Sequence, residues 1–189
     1  HGSERIIAGD YRAYDKTMPP SAILHAFSIL ISIARSAGYT ECDQRAMWSC
    51  AYDTAFPLTD FFGDLVMFNG SNPSGHPLTV IINSLVNSIL MRYVFIKKYG
   101  VDACASFKKY VSLLTYGDDN IAGVSRALSG FNHTLVQDVL KEAGIVYTMA
   151  DKEAESSPFI HIDDAEFLKR RFVHDTDVGA ILCPLVHTS

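Results

Sequence analysis

The chain has 189 residues, with 16 lysines and arginines against 21 aspartates and glutamates, a formal net charge of -5 and 48% hydrophobic residues. This length predicts one domain over residues 1–189, and the apolar fraction excludes a disordered or collagen-like chain. The negative charge argues against a broad basic surface that wraps nucleic acid, although clustered carboxylates at a site would contribute to that charge.

The cysteines and the apolar stretches exclude several further classes of protein. The four cysteines are widely spaced and form no C-x-x-C, which indicates neither a zinc ligand set nor a disulfide framework. The longest apolar stretch, residues 78–96, contains Asn83, Asn87 and Arg92, so we predict no transmembrane segment. The chain opens with His1 rather than Met, which suggests a piece of a longer protein.

The first half of the chain predicts a strand followed by helices. Residues 5–11 are apolar and predict a strand that carries Asp10 near its end. Two prolines then open a helix over residues 19–37, and a second helix is expected over residues 44–52. A strand over residues 64–68 and a long helix over residues 78–98 follow.

The second half predicts mostly strands. Residues 110–116 and 121–124 flank the turn Gly117-Asp118-Asp119 and predict a β-hairpin. A helix over residues 132–143 and a strand over residues 145–148 come next, and residues 167–173 and 178–182 are expected to pair as a terminal hairpin. The order of elements predicts an α+β fold, with an antiparallel sheet, helices packed on one face and a C-terminal β-hairpin.

Three aspartates are the strongest candidates for chemistry. Asp10 ends a strand, and Asp118 and Asp119 lie at a hairpin tip. Acidic residues in tight turns are often only solvated, but apolar strands on both sides would bury this hairpin and leave its tip facing a site. Carboxylates brought together raise one another's pKa unless cations neutralise them, and their oxygens suit Mg²⁺ or Mn²⁺. Two such ions can catalyse phosphoryl transfer.

Five segments, in order, resemble motifs A to E of viral RNA-directed RNA polymerases. They are Asp10-Tyr11-Arg12-Ala13-Tyr14-Asp15, then Ser74-Gly75-His76-Pro77-Leu78-Thr79 continuing through Asn83-Ser84 to Asn87, then Tyr116-Gly117-Asp118-Asp119, Ala150-Asp151-Lys152 and Phe167-Leu168-Lys169-Arg170. A single motif of this kind occurs by chance, but five in the family's order cover nearly the whole chain. The details are most similar to those of positive-strand viruses of the picornavirus-like order.

The resemblance implies a polymerase palm, with an RRM/ferredoxin-like antiparallel sheet, as part of a larger polymerase or polyprotein whose fingers and thumb lie elsewhere. It implies template-directed ribonucleotidyl transfer in viral genome replication, with RNA template, primer and NTPs as partners and two Mg²⁺ or Mn²⁺ ions as cofactors. We expect the parent protein in the host cytoplasm, at viral replication complexes. The isolated chain is expected to be inactive.

The resemblance also implies roles for individual residues. Asp10, Asp118 and Asp119 would be metal ligands, Asp119 as an accessory ligand or an electrostatic support. Asp15, Ser74, Gly75, Thr79 and Asn83 would surround the ribose of the incoming NTP, because a polar site built for the 2′-OH rejects an analogue that lacks it. Lys152 would be the general acid that protonates pyrophosphate, or else a solvated lysine between acidic neighbours. Lys169 and Arg170 would bind primer phosphates, or else form a charged strand edge.

Two alternatives remain open at this point. A reverse-transcriptase-like palm would share the aspartates, but it should exclude the 2′-OH, which Asp15 and the set of Ser74, Thr79 and Asn83 argue against. A non-catalytic structural or interaction domain with a palm fold would be free to lose the motif carboxylates, and this chain has all of them.

Overall fold

The computed structural model describes residues 2–72, 75–149 and 156–186. Two compact units are present, one made of residues 1–12 and 91–189 and the other of residues 13–90. The strands are β1 Ile6–Tyr11, β2 Leu58–Phe61, β3 Asp64–Met67, β4 Val111–Tyr116, β5 Asp119–Val124, β6 Tyr147–Met149, β7 Glu166–Phe167, β8 Arg170–Arg171, β9 Val173–Asp175 and β10 Ala180–Leu182. The helices are α1 Tyr14–Thr17, α2 Pro20–Ser36, α3 Glu41–Ala55, α4 Thr79–Tyr99, α5 Phe107–Tyr110 and α6 His133–Glu142.

The first unit is built on a four-stranded sheet in the order β4-β5-β1-β6. Each neighbouring pair is antiparallel, with Ala8 opposite Ile121 across β1 and β5, and Tyr11 opposite Tyr147 across β1 and β6. The predicted α+β fold with an antiparallel sheet is therefore confirmed.

The two faces of the sheet bury different partners. Side chains alternate along a strand, so Ile6, Ala8 and Asp10 share one face of β1, and Ile7, Gly9 and Tyr11 share the other. On the first face, Ile6 and Ala8 pack with Ala165 in an apolar cluster that also takes in the side chains of Ile160, Ile162, Phe167 and Phe172. On the second face, α6 packs against β6 and β1. The helix covers one face, as predicted, and the segment around Ala165 covers the other.

Three aromatic side chains anchor the end of α4 in the first unit. Phe95 lies 5.2 Å from Phe107 and 5.7 Å from Phe131 between ring centroids, in edge-to-face arrangements. Each of the three is at most 2% exposed. Such edge-to-face pairs add to the burial of large apolar area and fix the loop that follows α4 against the sheet.

The helices of the second unit begin at recognisable caps. Pro20 opens α2, where its missing N–H costs nothing. A capping box opens α3, because Thr40 accepts from the Asp43 N–H while the Asp43 side chain accepts from the Thr40 N–H. This cap explains why α3 begins three residues before the predicted start.

One helix of the described residues, Thr79–Tyr99, is long and apolar enough to cross a membrane by length and composition alone. Its Ile82, Val86 and Val94 side chains are 0% exposed, and Asn87 is buried with them. A buried face that includes a polar amide is typical of a core helix.

Some sequence predictions of local structure are wrong. The predicted C-terminal hairpin is present as β9 with β10, but its first strand was placed too early, because β7 and β8 form a separate hairpin before it. The sequence predicted one strand, over residues 64–68, between the second helix and the long helix. The structure instead has a hairpin there, in which β2 pairs with β3. The short helices α1 and α5 were not predicted, since four residues carry too little periodicity to detect.

Candidate active site

The three motif aspartates lie at one end of the sheet of the first unit. Gly9 of β1 is opposite Asn120 of β5, so the antiparallel register carries Asp10 toward Asp119. Asp118 occupies the two-residue turn between β4 and β5, where Gly117 has a φ of 61°, a conformation that glycine adopts without strain. The two strands that carry Asp10 and Asp119 are thus adjacent.

The aspartates line a common cavity of about 260 Å³ with Glu166, Leu168 and Lys169. All three aspartates and Glu166 present carboxylate oxygens, the donors that Mg²⁺ and Mn²⁺ prefer. Within the part of the chain that the structure describes, no three His, Cys, Asp or Glu side chains are already arranged to hold an ion. The sequence did not indicate Glu166, because its approach depends on how the β7–β8 hairpin packs.

Asp119 is tied to the β7–β8 hairpin. Its Oδ2 accepts a hydrogen bond from the Leu168 backbone N–H at 3.1 Å. Burial raises the pKa of the Asp119 carboxyl above its ordinary value, the Leu168 N–H opposes that rise, and the charges of Asp118 and Asp10 add to it. The surroundings therefore disfavour the charged form of Asp119, which favours a nearby cation.

The turn of the β7–β8 hairpin has an unusual backbone. Leu168 and Lys169 have φ values of 54° and 57°, the left-handed conformation that a two-residue type I′ turn requires. Lys169 and Arg170 are exposed, and the Arg170 Nη1 donates to the Cys183 carbonyl at 2.8 Å. The hairpin therefore presents Lys169 at the rim of the carboxylate cavity.

A second polar group, which we call the amide cluster, lies in the unit of residues 13–90. It joins the side chains of Asn72, in the loop before α4, and Asn83 of α4 with the backbone carbonyls of Asp15 in α1 and Thr79 in α4. The Asn72 N–H donates to the Asp15 carbonyl at 2.9 Å, and its Nδ2 donates to the Asn83 Oδ1 at 2.7 Å. The structure thus brings together three of the residues predicted to contact a ribose. Gly75 is exposed with a φ of 95°, and Ser74 and Lys152 lie outside the described residues.

Asn83 is held from two sides. Its side chain accepts from Asn72, and its backbone carbonyl accepts from the Tyr14 hydroxyl at 2.9 Å. Because the Oδ1 is occupied, the amide nitrogen is the group that Asn83 presents as a donor. Sequence reasoning missed Asn72 and Tyr14, since neither belongs to the spacing that indicated the ribose site.

The sequence profile described as "Viral RNA-dependent RNA polymerase" matches residues 1–181. The chain belongs to this family. Among curated relatives, the viral polymerase chain is 32% identical over 196 residues to the RNA1 polyprotein of Cherry rasp leaf virus, covering 94% of this chain and 8% of the polyprotein. It is 37% identical over 131 residues to the replicase polyprotein of Cricket paralysis virus, covering 66% of this chain and 7% of that polyprotein.

A solved structure supports the same fold. The viral polymerase chain superimposes on the Sicinivirus 3Dpol RNA-dependent RNA polymerase with a TM-score of 0.78 at 22% sequence identity. The match covers 97% of this chain and 37% of the Sicinivirus chain. The chain therefore spans well under half of the solved relative and under a tenth of each of these two polyproteins.

Proposed function

We propose that this chain is the palm of an RNA-directed RNA polymerase from a positive-strand, picornavirus-like RNA virus. The reaction is template-directed attack of a primer 3′-OH on the α-phosphate of an NTP, with release of pyrophosphate. The observation that carries the proposal is the convergence of Asp10, Asp118 and Asp119 on one cavity, in a chain that belongs to the polymerase family.

Asp10 and Asp118 are the proposed ligands of two Mg²⁺ or Mn²⁺ ions, and Asp119 supports them. The donor set fits such ions, since it consists of carboxylate oxygens only. The coordination of Mg²⁺ in such sites is usually completed by substrate phosphates. When bound, the ions would supply charge stabilisation at the attacking and leaving oxygens. The Leu168 N–H keeps Asp119 oriented toward the site.

The amide cluster is the proposed site that recognises the ribose of the incoming NTP. Asn83 would donate from its amide nitrogen to the 2′-OH, while Asp15, Thr79, Ser74 and Gly75 complete the polar surroundings. Discrimination by such a site is strong, because a sugar without the hydroxyl leaves buried polar groups unpaired.

Two further roles rest on the family resemblance and on exposure. Lys169 and Arg170 would contact primer phosphates as exposed cations on the β7–β8 hairpin. Lys152 would donate the proton to pyrophosphate. The fingers and thumb of the parent polymerase would supply the remaining contacts to template and triphosphate, at replication complexes in the host cytoplasm.

The test is primer extension by the parent polymerase carrying Asp118→Asn. The substitution removes a charged ligand and keeps the shape of the side chain. We expect kcat to fall by about a hundredfold or more, because a metal-centred charge stabilisation of several kcal/mol is lost. The control is Asp102→Asn, an exposed aspartate at the start of the 3₁₀ turn that follows α4. Equal activity of the two variants would contradict the proposal.

A further inference from the structure

Behind the carboxylates, on the other face of the sheet, a polar side chain is buried. Asn120 directly follows Asp119 in β5 and lies opposite Gly9, which directly precedes Asp10 in β1. Side-chain alternation therefore places Asn120 on the face of the sheet that packs against α6. It is 1% exposed, so each of its polar atoms needs a partner.

The amide of Asn120 links the two strands that carry the aspartates. Its Nδ2 donates to the Gly9 carbonyl at 3.3 Å and lies 3.5 Å from the Asp118 carbonyl. Both carbonyls belong to the peptide groups beside the aspartates. One amide thus sets the spacing between the backbones from which Asp10 and Asp118 project.

Tyr147 holds the other end of this amide. Its hydroxyl donates to the Asn120 Oδ1 at 2.7 Å. Burial raises the pKa of Tyr147, so the hydroxyl remains a donor throughout the neutral range. A flipped amide would place the Oδ1 against the Gly9 and Asp118 carbonyls, which gives repulsion at both contacts, so the amide keeps the orientation in which its Oδ1 accepts from the Tyr147 hydroxyl.

The tyrosine ring is itself held in place. It lies 5.0 Å from the Tyr11 ring, edge-on, and 5.0 Å from the His133 ring, in a stacked arrangement. Gly9 leaves the space that the ring fills, because a Cβ at this position would lie 2.2 Å from the Tyr147 Cζ. The hydroxyl therefore reaches Asn120 from a fixed position.

We propose that Tyr147 and Asn120 are positioning residues that fix the separation of Asp10 and Asp118 from the reverse face of the sheet. The inference rests on the proposed function and adds residues outside the five motif segments. Neither side chain touches substrate. They act through the Gly9 and Asp118 carbonyls, and small displacements of catalytic groups have large effects on rate.

The test compares Tyr147→Phe with the native parent polymerase. The substitution removes the hydroxyl and keeps the ring in its pocket. We expect kcat to fall about tenfold with an unchanged KM for NTP, because substrate binding is retained while the reacting groups are misplaced. Mn²⁺ binding, followed by water-proton relaxation, should weaken several-fold in the same variant. Unchanged kcat and unchanged Mn²⁺ binding would overturn the inference.

The matched control is Tyr99→Phe, which removes a hydroxyl that donates to the Ser129 carbonyl away from the carboxylates. If both variants lose the same activity, Tyr147 has only a structural role and the inference is overturned. A measurement on the native protein tests the inference even if Tyr147→Phe does not fold. In the native protein, the side-chain amide protons of Asn120 should exchange with solvent far more slowly than those of exposed asparagines. Rapid exchange would also overturn it.

Failure of this inference differs from failure of the proposed function. If Asp118→Asn retains activity, the proposed function is wrong whatever Tyr147 does. If Asp118→Asn is inactive while Tyr147→Phe matches the native enzyme in kcat and in Mn²⁺ binding, the proposed function stands and the positioning role is wrong.

Discussion

Asn83 illustrates how a motif residue depends on neighbours outside the motif. Its donor orientation follows from the hydrogen bond that its Oδ1 receives from Asn72. Asn72 is 0% exposed, and its own Oδ1 has no hydrogen-bond partner in the described part of the chain. Such a group is costly to bury, so its presence here points to a use for the Nδ2 donor.

In the parent polymerase, Asn83→Ala should weaken the preference for NTPs over dNTPs. The expected loss is about tenfold or more, because a hydroxyl-reading group contributes strongly to discrimination. Single-nucleotide primer extension with both substrates measures the preference. The matched control is Asn69→Ala, on the same loop but outside the hydrogen bonds of the amide cluster. An unchanged preference with Asn83→Ala would remove the ribose role from this residue.

His133 should make the stability of the chain depend on pH. Burial lowers the pKa of its imidazole, and a backbone hydrogen bond at Thr148 partly opposes this. The unfolded state binds a proton below about pH 6.5, whereas the folded state resists it, so stability is complete above that pH and falls on acidification.

Urea unfolding between neutral and mildly acidic pH measures this dependence. Uptake of one proton gives a slope of at most about 1.4 kcal/mol per pH unit, and His133→Gln should reduce it. His174→Gln, at an exposed position, serves as the control. If His133→Gln leaves the slope as it is in the native chain, another group causes the acid sensitivity.

The β7–β8 hairpin shows how one short element combines strain and charge. Lys169 adopts a left-handed conformation at the turn and also carries a cation to the rim of the carboxylate cavity. A non-glycine residue in this conformation costs about 1–2 kcal/mol. Lysine thus occupies a position suited to glycine, and its charge lies at the rim of the cavity.

Lys169→Gly should therefore raise the stability of the protein and weaken its binding to RNA. We expect the unfolding free energy to rise by about 1 kcal/mol, since the turn loses its strain. The RNA affinity of the parent polymerase should fall. The slope of log affinity against log salt concentration should become shallower by the amount that corresponds to about one phosphate contact. Arg170→Gly is the control, because it removes the same charge from a strand position without relieving a positive φ. A destabilised Lys169→Gly would show that the turn is not strained.

At the level of elements, prediction succeeded where a pattern was long. The helices α2 and α4 have long apolar runs bounded by proline and glycine, β1 is a mostly apolar run of six residues, and the sequence predicted each of them. The strands β7 to β10 have two or three residues each, so their pairing depends on tertiary contacts that no local pattern encodes.

The residues of the candidate site also divide into those that the sequence predicted and those that it could not predict. Asp10, Asp118 and Asp119 were predicted because strand ends and hairpin turns are visible in a sequence. Asn120 and Tyr147 could not be, because they are 27 residues apart and meet only when β6 packs beside β1. Polar side chains that position a site from the opposite face of a sheet show no characteristic spacing in the sequence.

On the scale of the whole molecule, charge limits what this chain can do alone. Its formal net charge is -5, and four of its carboxylates line the candidate site. RNA affinity comes mainly from cations that contact phosphates. The chain spans 37% of the Sicinivirus polymerase, so we expect much of the required basic surface in the parts outside it.

We accordingly predict that the isolated chain folds but does not extend a primer. It should bind Mg²⁺ or Mn²⁺ only weakly, because such sites are completed by substrate phosphates. A labelled-NTP incorporation assay, with circular dichroism as the control for folding, tests this. Incorporation that disappears with Asp118→Asn would show instead that the palm is sufficient for catalysis.

The close approach of Gly9 and Tyr147 has a consequence for how this sequence can drift over generations. A larger residue at position 9 meets the ring at 2.2 Å, so it is tolerated only after position 147 has become smaller. A smaller residue at position 147, arriving first, opens a cavity and removes the donor to Asn120. The replacement of Gly9 by a larger residue therefore has to follow the change at position 147. The intermediate, which carries only the change at position 147, is less stable. Lineages descended from this chain should keep both residues or replace both.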